Sequence, residues 1–494
     1  MGGTLPIRTE RQRCRASPVR LSLTISGLSA GLASGKRQDY PGDMGTLPSA
    51  RALMGVSLAF HMVYAALAIG MPVLLLLAEG LALRTGDEGY HRLARRWARS
   101  VGVLFAIGAV SGTILSFELG ILWPEFMRFA GSIVGISFSL EGFAFFVEAI
   151  FLGIYLYGEG RLSRHAQFFA TIPISIAAAA SSIFVISANA WMNTPRGFTI
   201  ADGQLVSVDP WRAMFNPAMP YQAVHGTLAA YVATGFAVAG VYAYYLMRGH
   251  ITMHNQRALT LALGLASVVL PLMLVSGDLS ARFLAKHEPA KFAAMEALLA
   301  TQAGAPLHIG GWPDPASGEV KYSIAIPKLL SLLTYGDPGA VVQGLSDMPS
   351  GTTPDPRPVH LFFDLMVSSF FAMLAAASWF WWLYWRRRAV PMNRWPLLAV
   401  LSTSPLGFVA LQSGWMVTEF GRQPWVVVGY MKVSVGVTPR GGIDFVLLLF
   451  MLVYVALTAG LLWLLLHRGK QDGQTAVPRV APHFDTGPPN GVEA

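Results

Sequence analysis

Apolar runs of about 20 residues, each closed by a short polar or basic connection, recur along almost the whole chain. A helix needs about 20 apolar residues to cross the hydrocarbon core of a bilayer. The pattern therefore predicts an all-α integral membrane protein with nine transmembrane helices, over residues 53–78, 101–120, 132–157, 166–188, 221–247, 258–277, 359–385, 395–416 and 442–467. The connections alternate in charge. Arg84, Arg92, Arg95, Arg96 and Arg99 follow the first span, Arg161 and Arg164 the third, and Arg248 and Arg257 the fifth. Arg386, Arg387, Arg388 and Arg394 follow the seventh, and His467, Arg468 and Lys470 the last. These fall on one side of the bundle, which the positive-inside bias makes cytoplasmic; the amino terminus is then expected outside and the carboxy terminus inside.

Three regions are expected. Residues 1–43 form a basic extension in which Arg8, Arg11, Arg13, Arg15 and Arg20 precede a weak apolar stretch. It reads as a poor secretory signal or as upstream sequence ahead of a second start at Met44. Residues 44–470 form the membrane domain, and the Pro/Gly-rich tail 471–494 is expected to be disordered and cytoplasmic. Within the membrane domain the long connection 278–359 is external. It predicts a short helix, Lys291 to Glu296, followed by turns at Gly304, Pro306, Gly310, Gly311, Pro313 and Pro315. Its apolar residues, among them Phe283, Phe292, Met295, Leu298, Trp312, Ile324 and Ile326, predict a folded lid on the membrane surface.

Composition narrows the chemistry. The 494 residues are 53% hydrophobic and 13% charged, so most of the chain is dissolved in lipid. The single cysteine, Cys14, excludes an internal disulfide framework and a Cys-ligated iron–sulfur or zinc site. Any metal must be held by His, Met or carboxylate. The net charge of +9 sits in the connections, the pattern that orients membrane proteins, and implies no nucleic acid.

Polar side chains inside apolar spans are costly and read as functional by default. His61 lies within the first span, with Arg51 at its outer end. Glu141 and Glu148 are close to two helical turns apart, which puts both on one face of the third helix and predicts a proton relay; the alternative is a structural hydrogen-bonded pair. His225 lies near the outer end of the fifth span, where Gly226 leaves room for a flat group, and Met366 near the outer end of the seventh. Met366 by itself is ordinary packing, but a His/Met pair is a known low-spin haem ligation. Glu419, Arg422 and Trp425 cluster where the eighth span meets water, with Pro424 ending the helix. Asp278 and Asp364 also read as solvated loop-edge charges, and Asn189 to Pro195 as helix capping with an interfacial tryptophan. Taken together the embedded residues suggest a haem-carrying redox protein.

Four motifs carry a resemblance: Gly-Arg-Gln-Pro-Trp at 421–425, Glu-Gly-Phe-Ala-Phe-Phe-Val-Glu at 141–148, Asn-Ala-Trp-Met-Asn at 189–193 and Lys-Phe-Ala-Ala-Met-Glu at 291–296. From about Met44 to His467 the chain resembles subunit I of the cytochrome bd quinol oxidases, including the cyanide-insensitive branch. The resemblance implies nine helices and three haems: two haem b, and a haem d or third haem b. It makes His61 an axial ligand at the oxygen-reducing centre and Glu419 a ligand of the companion high-spin haem b. His225 and Met366 become the ligands of the low-spin haem b, and Arg51, Arg422 and Trp415 neighbours of the haems. Glu141 and Glu148 match acids that bring protons to oxygen, and Lys291, Glu296 and Asp278 match the quinol-binding loop, here of the short type. A heterodimer with subunit II, possible small single-helix subunits, ubiquinol or menaquinol as donor, O2 as acceptor and a bacterial or archaeal plasma membrane are implied too, with charge separated but no proton pump.

Three positions depart from the family pattern. Asp364 stands where many members have Arg, Gln412 where an acid is common, and Gly158-Glu159-Gly160-Arg161 replaces Gly-Trp-Asp-Arg. Two other readings fit part of the pattern: a haem b subunit that has lost oxygen reduction, and a haem-free transporter in which Glu141, Glu148 and His61 bind protons or a cation.

Overall fold

The structure, a computed structural model, describes residues 46–474 except 202, 203 and 439. The extension 1–43, its candidate start at Met44 and the tail beyond Gln474 lie outside the described residues. Among these residues, nine helical segments are long and apolar enough to cross a membrane. They are α1 (Thr46–Thr85), α2 (Glu88–Leu122), α3 (Pro124–Tyr157), α4 (Arg164–Asn193), α5 (Met219–Met247) and α6 (Met253–His287). A short α7 (Pro289–Met295) follows, then α8 (Pro356–Arg387), α9 (Arg394–Thr403), α10 (Leu406–Gly421) and α11 (Ile443–Gln474). The pair α9 and α10 makes one span.

Local sequence sets the helix starts. The side chains of Asp87, Ser163, Thr252 and Asp355 accept hydrogen bonds from backbone N–H groups of the first turns of α2, α4, α6 and α8. Proline occupies the first turn of α3, α5, α7 and α8, where its missing N–H costs nothing.

Two boundaries differ from expectation. α6 continues past 277 to His287, so Asp278 is an exposed helical residue and the long connection begins at Glu288 and ends at Asp355. Asp278 accepts from Arg282 Nε at 2.8 Å one turn on, Phe283 packs against Ala190, Ala218 and Tyr221, and Leu284 packs beneath the lid, which keeps this polar stretch helical. The span expected over 395–416 is broken at Ser404–Pro405, where proline cannot supply the next N–H.

The lid packs against the ends of the helices. Phe292, Met295 and Leu298 join Val359 of α8 and Val417 of α10 in one apolar cluster. Trp312, Ile324 and Ile326 are exposed on its small hairpins, Leu307–Ile309 with Ile324–Ile326 and Trp312–Asp314 with Glu319–Lys321.

The bundle closes around α5 through small residues. A Cβ placed on Gly407 of α10 would lie 2.5 Å from Ala233 Cα, and one on Gly235 would lie 2.9 Å from the Ala262 carbonyl oxygen of α6. Gly70 of α1 faces Thr234, whose hydroxyl donates to the Ala66 carbonyl at 2.8 Å. Ser404, at the break, fills the space left by Gly240. Lipid tails are as apolar as leucine, so such close backbone approach holds membrane helices together.

The connections sort to two ends. At one, Arg257 pairs with Asp87, Arg164 with Glu88, and Arg95 and Arg99 with Glu159, which joins the connections after the first, third and fifth spans. At the other, Ser49 meets Asp444, Arg422 meets Asn189, and Lys291 meets Asn193.

Because Gly407 abuts backbone that cannot move aside, Gly407→Leu is expected to destabilise the purified protein by about 1–3 kcal/mol or more. Thermal unfolding in detergent measures this, and an unchanged midpoint would refute the close approach of α5 and α10.

Candidate functional site

His61 and His225 stand in the same local arrangement. His61 Nδ1 lies 2.9 Å from Ser111 Oγ of α2, and that hydroxyl donates to the Ile107 carbonyl at 2.9 Å. His225 Nδ1 lies 3.0 Å from Ser276 Oγ of α6, whose hydroxyl donates to the Met273 carbonyl at 3.0 Å. A serine has one proton. Where that proton goes to the helix carbonyl, the oxygen is left to accept from Nδ1–H, and the imidazole would keep its Nε2 lone pair. That is the tautomer an axial metal ligand requires.

Glycines lie beside all three expected iron ligands of the imidazole and thioether type. A Cβ on Gly112 would sit 3.2 Å from His61 Cε1, one on Gly277 3.6 Å from His225 Cε1, and one on Gly414 3.0 Å from Met366 Sδ. Side chains are thus absent where a flat macrocycle would need room. Among the described residues no group of three or more His, Cys, Asp or Glu could hold a bare metal ion. Isolated axial donors beside glycines fit an iron porphyrin, which brings its own in-plane nitrogens. Trp415, half-buried, follows Gly414.

Glu141 and Glu148 differ in surroundings. Ser181 Oγ of α4 donates to Glu141 at 3.2 Å, whereas Glu148 is 4% exposed and its Oε1 has no hydrogen-bond partner. Gln412, at a position where an acid was noted as common, donates to the Ala59 carbonyl of α1 at 2.6 Å. Arg51 is exposed at the start of α1.

At the end of the bundle beneath the lid, Arg422 is buried. Its Nη2 donates to both oxygens of Glu419 at 2.8 and 2.9 Å, and its Nη1 to Asn189 Oδ1 at 2.9 Å. The Nε of Arg422 has no partner, which leaves one donor for an anionic group such as a propionate. The Lys291 chain crosses Gly421, where a Cβ would lie 2.6 Å from its Cγ, and its Nζ donates to Asn193 Oδ1 at 2.5 Å and to Glu288. The amide oxygens of Asn189 and Asn193 thus hold Arg422 and Lys291, while Asn193 Nδ2 donates to the Asn189 carbonyl at 2.9 Å and caps the last turn of its own helix. Trp191, expected at an interface, is 1% exposed and donates to the Arg196 carbonyl.

Burial draws the Lys291 ammonium below its usual range, against the pull of Glu288. Glu296 is also buried and its Oε2 unpartnered; burial first, then the charge of Asp364, pushes its pKa up to about 8. Asp364 in turn lies 3.3 Å from His360 Nε2, while His360 Nδ1 meets the Met295 carbonyl at 2.8 Å, so Asp364 is no solvated edge charge. Asp278 remains on an exposed helix face, paired with Arg282.

Sequence reasoning passed over two buried polar sets. Ser57 donates to Glu118 at 2.6 Å and accepts from Tyr454 at 2.8 Å, one turn from the His61–Ser111 contact. Glu79 accepts from Tyr155 and meets His91 Nδ1 at 2.9 Å. Acids at 79 and 118, in or beside apolar runs, were the available signal.

A family model described as "Cytochrome bd terminal oxidase subunit I" matches residues 49–472. A Bacillus subtilis protein described as a putative cytochrome bd menaquinol oxidase subunit I is 35% identical over 430 residues, 86% of this chain and 96% of that protein. The Escherichia coli cytochrome bd-II ubiquinol oxidase subunit 1 is 25% identical over 74% of this chain and 85% of its own length. The solved bd oxidase from Geobacillus thermodenitrificans superposes with a TM-score of 0.81 at 36% identity, covering 86% of this chain and 98% of its counterpart. With nearly the whole membrane domain accounted for, the chain belongs to the cytochrome bd terminal oxidase subunit I family.

Proposed function

We propose that the chain oxidises a membrane quinol and sends the electrons to O2, as subunit I of a heterodimer with subunit II in a bacterial plasma membrane. The observation that carries this reading is the pair of intramembrane histidines, each with Nδ1 within hydrogen-bond distance of a helix serine, an arrangement that would leave Nε2 to bind iron. His225 and Met366 would hold a low-spin haem b, and His61 and Glu419 the two high-spin haems, the one at His61 being haem d or haem b. When bound, these haems supply one-electron carriers and the metal at which O2 is reduced.

The residues of the chain supply the rest. Two quinols provide the four electrons that reduce one O2 to two waters. Under the lid, ionised Glu296 accepts a hydroxyl proton from quinol while Lys291, fixed by Glu288 and Asn193, orients its oxygens. Arg422 balances Glu419, and its remaining N–H could hold a haem propionate. Glu148 and Glu141 carry protons along α3 toward the oxygen site. The Arg-rich end is cytoplasmic on this reading, so quinol protons leave on the lid side and oxygen takes protons from the opposite side. Charge separates without a pump.

His225→Leu and Met366→Leu are each expected to remove the low-spin b-type band from the dithionite-reduced minus air-oxidised spectrum of the purified complex. His61→Leu should instead abolish the carbon monoxide difference signal. An unchanged spectrum in a folded His225→Leu complex refutes the ligand assignment.

The base form of Glu296 is scarce below its pKa of about 8, so the quinol kcat/KM is expected to rise as pH passes from 7 to 9. Glu296→Gln should flatten that rise and lower the rate by about a hundredfold. A steady-state pH profile with a soluble quinol decides it; the same slope in both proteins removes Glu296 from the proton path.

A further inference from the structure

Near the basic end of the bundle, three titratable side chains that the quinol and haem sites do not use meet inside the apolar core. Glu79 of α1 accepts a hydrogen bond from the Tyr155 hydroxyl of α3, and its carboxylate meets His91 Nδ1 of α2 at 2.9 Å. Glu79, Tyr155 and His91 are 1%, 3% and 2% exposed. Tyr155 stands two residues before the end of α3, Glu79 six before the end of α1 and His91 three after the start of α2. Tyr155 belongs to the apolar cluster that holds Leu75, Ala78, Leu93 and Ala94.

Joining three helices does not by itself call for an acid and an imidazole. Elsewhere in this bundle Ser137 with Ser187, and Ser182 with Thr227, link helices through hydroxyls alone, whereas a carboxylate at membrane depth is expensive. The position of Tyr155 supplies a reason. Residues 141, 148 and 155 repeat every seven, close to two turns, so Tyr155 continues the line of Glu141 and Glu148 on one face of α3, about 10 Å beyond Glu148 along the helix. The hydrogen bond from Ser181 to Glu141 fixes the register of α4 beside α3. Counted back from it, Gln167, Thr171 and Ser175 of α4 fall level with the interval between Tyr155 and Glu148, and all three are buried. Thr171 and Ser175 direct their hydroxyl protons at carbonyls of their own helix, which leaves their oxygens to accept from water. Glu148 Oε1, at the far end of that interval, has no partner.

We propose that Glu79, with His91 and Tyr155, is the entrance through which protons from the basic side reach Glu148. The entrance rests on the reading that the acids of α3 carry protons to oxygen. A proton taken up at His91 passes from its Nδ1 to the Glu79 carboxylate. The Tyr155 hydroxyl then turns, accepts that proton from Glu79 and hands its own to water leading to Glu148, while His91 takes its next proton from the aqueous side. One proton enters for each one delivered, and the three side chains end as they began.

The test uses the intact purified complex in liposomes, with haem reduction followed by absorbance and proton uptake by a pH-indicator dye. Uptake is read twice, after mixing the reduced complex with O2 and, without turnover, during anaerobic electrochemical reduction. Glu79→Gln is expected to slow uptake per reduced complex about a hundredfold in both. Tyr155→Phe, which keeps the ring and loses the hydroxyl, should slow it too, and Glu79→Asp, which keeps the carboxylate, should recover part of the rate. A purely structural Glu79 would lower haem content or the thermal midpoint and leave uptake per reduced complex unchanged. Wild-type uptake in Glu79→Gln, or in Tyr155→Phe should the first variant not assemble, beside slow uptake in Glu148→Gln, overturns the entrance and leaves the acids of α3 in place. Wild-type uptake in Glu148→Gln instead removes the reading beneath it, and the entrance falls with that reading.

Discussion

The close approach of α5 to its neighbours governs where everything else in the membrane lies. Gly235 against Ala262, Ala233 against Gly407 and Thr234 against Gly70 bring α6, α10 and α1 to one helix at backbone distance. Those helices carry the candidate ligands. α5 brings His225 and α6 the serine beside its Nδ1; α1 brings His61, and α10 carries Gly414, Glu419 and, at its end, Arg422. A bulky residue at any of these contacts would separate the helices, so the same few contacts set the spacing of the candidate site residues.

The second constraint is electrostatic and sits under the lid. Burying an unpaired charge costs several kcal/mol, yet Arg422 and Lys291 are each only 4% exposed. Each has an acid within one turn, Glu419 and Glu288, and each has an asparagine of α4 as a further acceptor. The four ionisable groups sum to no net charge when all are ionised. They also join α4, α7 and α10, so the lid is fastened to the bundle by its polar residues as well as by the apolar cluster around Phe292 and Leu298.

Much of this could be read from the chain, and the failures have physical causes. Spans are legible because crossing a bilayer demands a long apolar run whatever the tertiary contacts. The break at Pro405 was not, since proline alone does not decide it: Pro72, Pro173 and Pro271 lie inside continuous helices. Ser404 seated against Gly240 is tertiary information. The α6 extension escaped because hydropathy ends at 277 while a local ion pair and lid packing carry the helix on. Asn193 does cap its own last turn, but the charged partners of Asn189 and Asn193 are distant in sequence, 233 positions away for Arg422 and 98 for Lys291, and so were not legible. His61, His225 and the acids of α3 stood out against their apolar surroundings; Ser111 and Ser276, which lie within hydrogen-bond distance of the two histidines, did not, since serine is common in membrane helices.

Trp123 is the single residue between α2 and α3, and Pro124 already begins the next helix. So short a connection leaves no slack between the two helices. The end of α2 and the start of α3 are held at one depth, and the acids the two arms bury, Glu118 and Glu148, belong to helices that cannot slide along the membrane normal independently of each other.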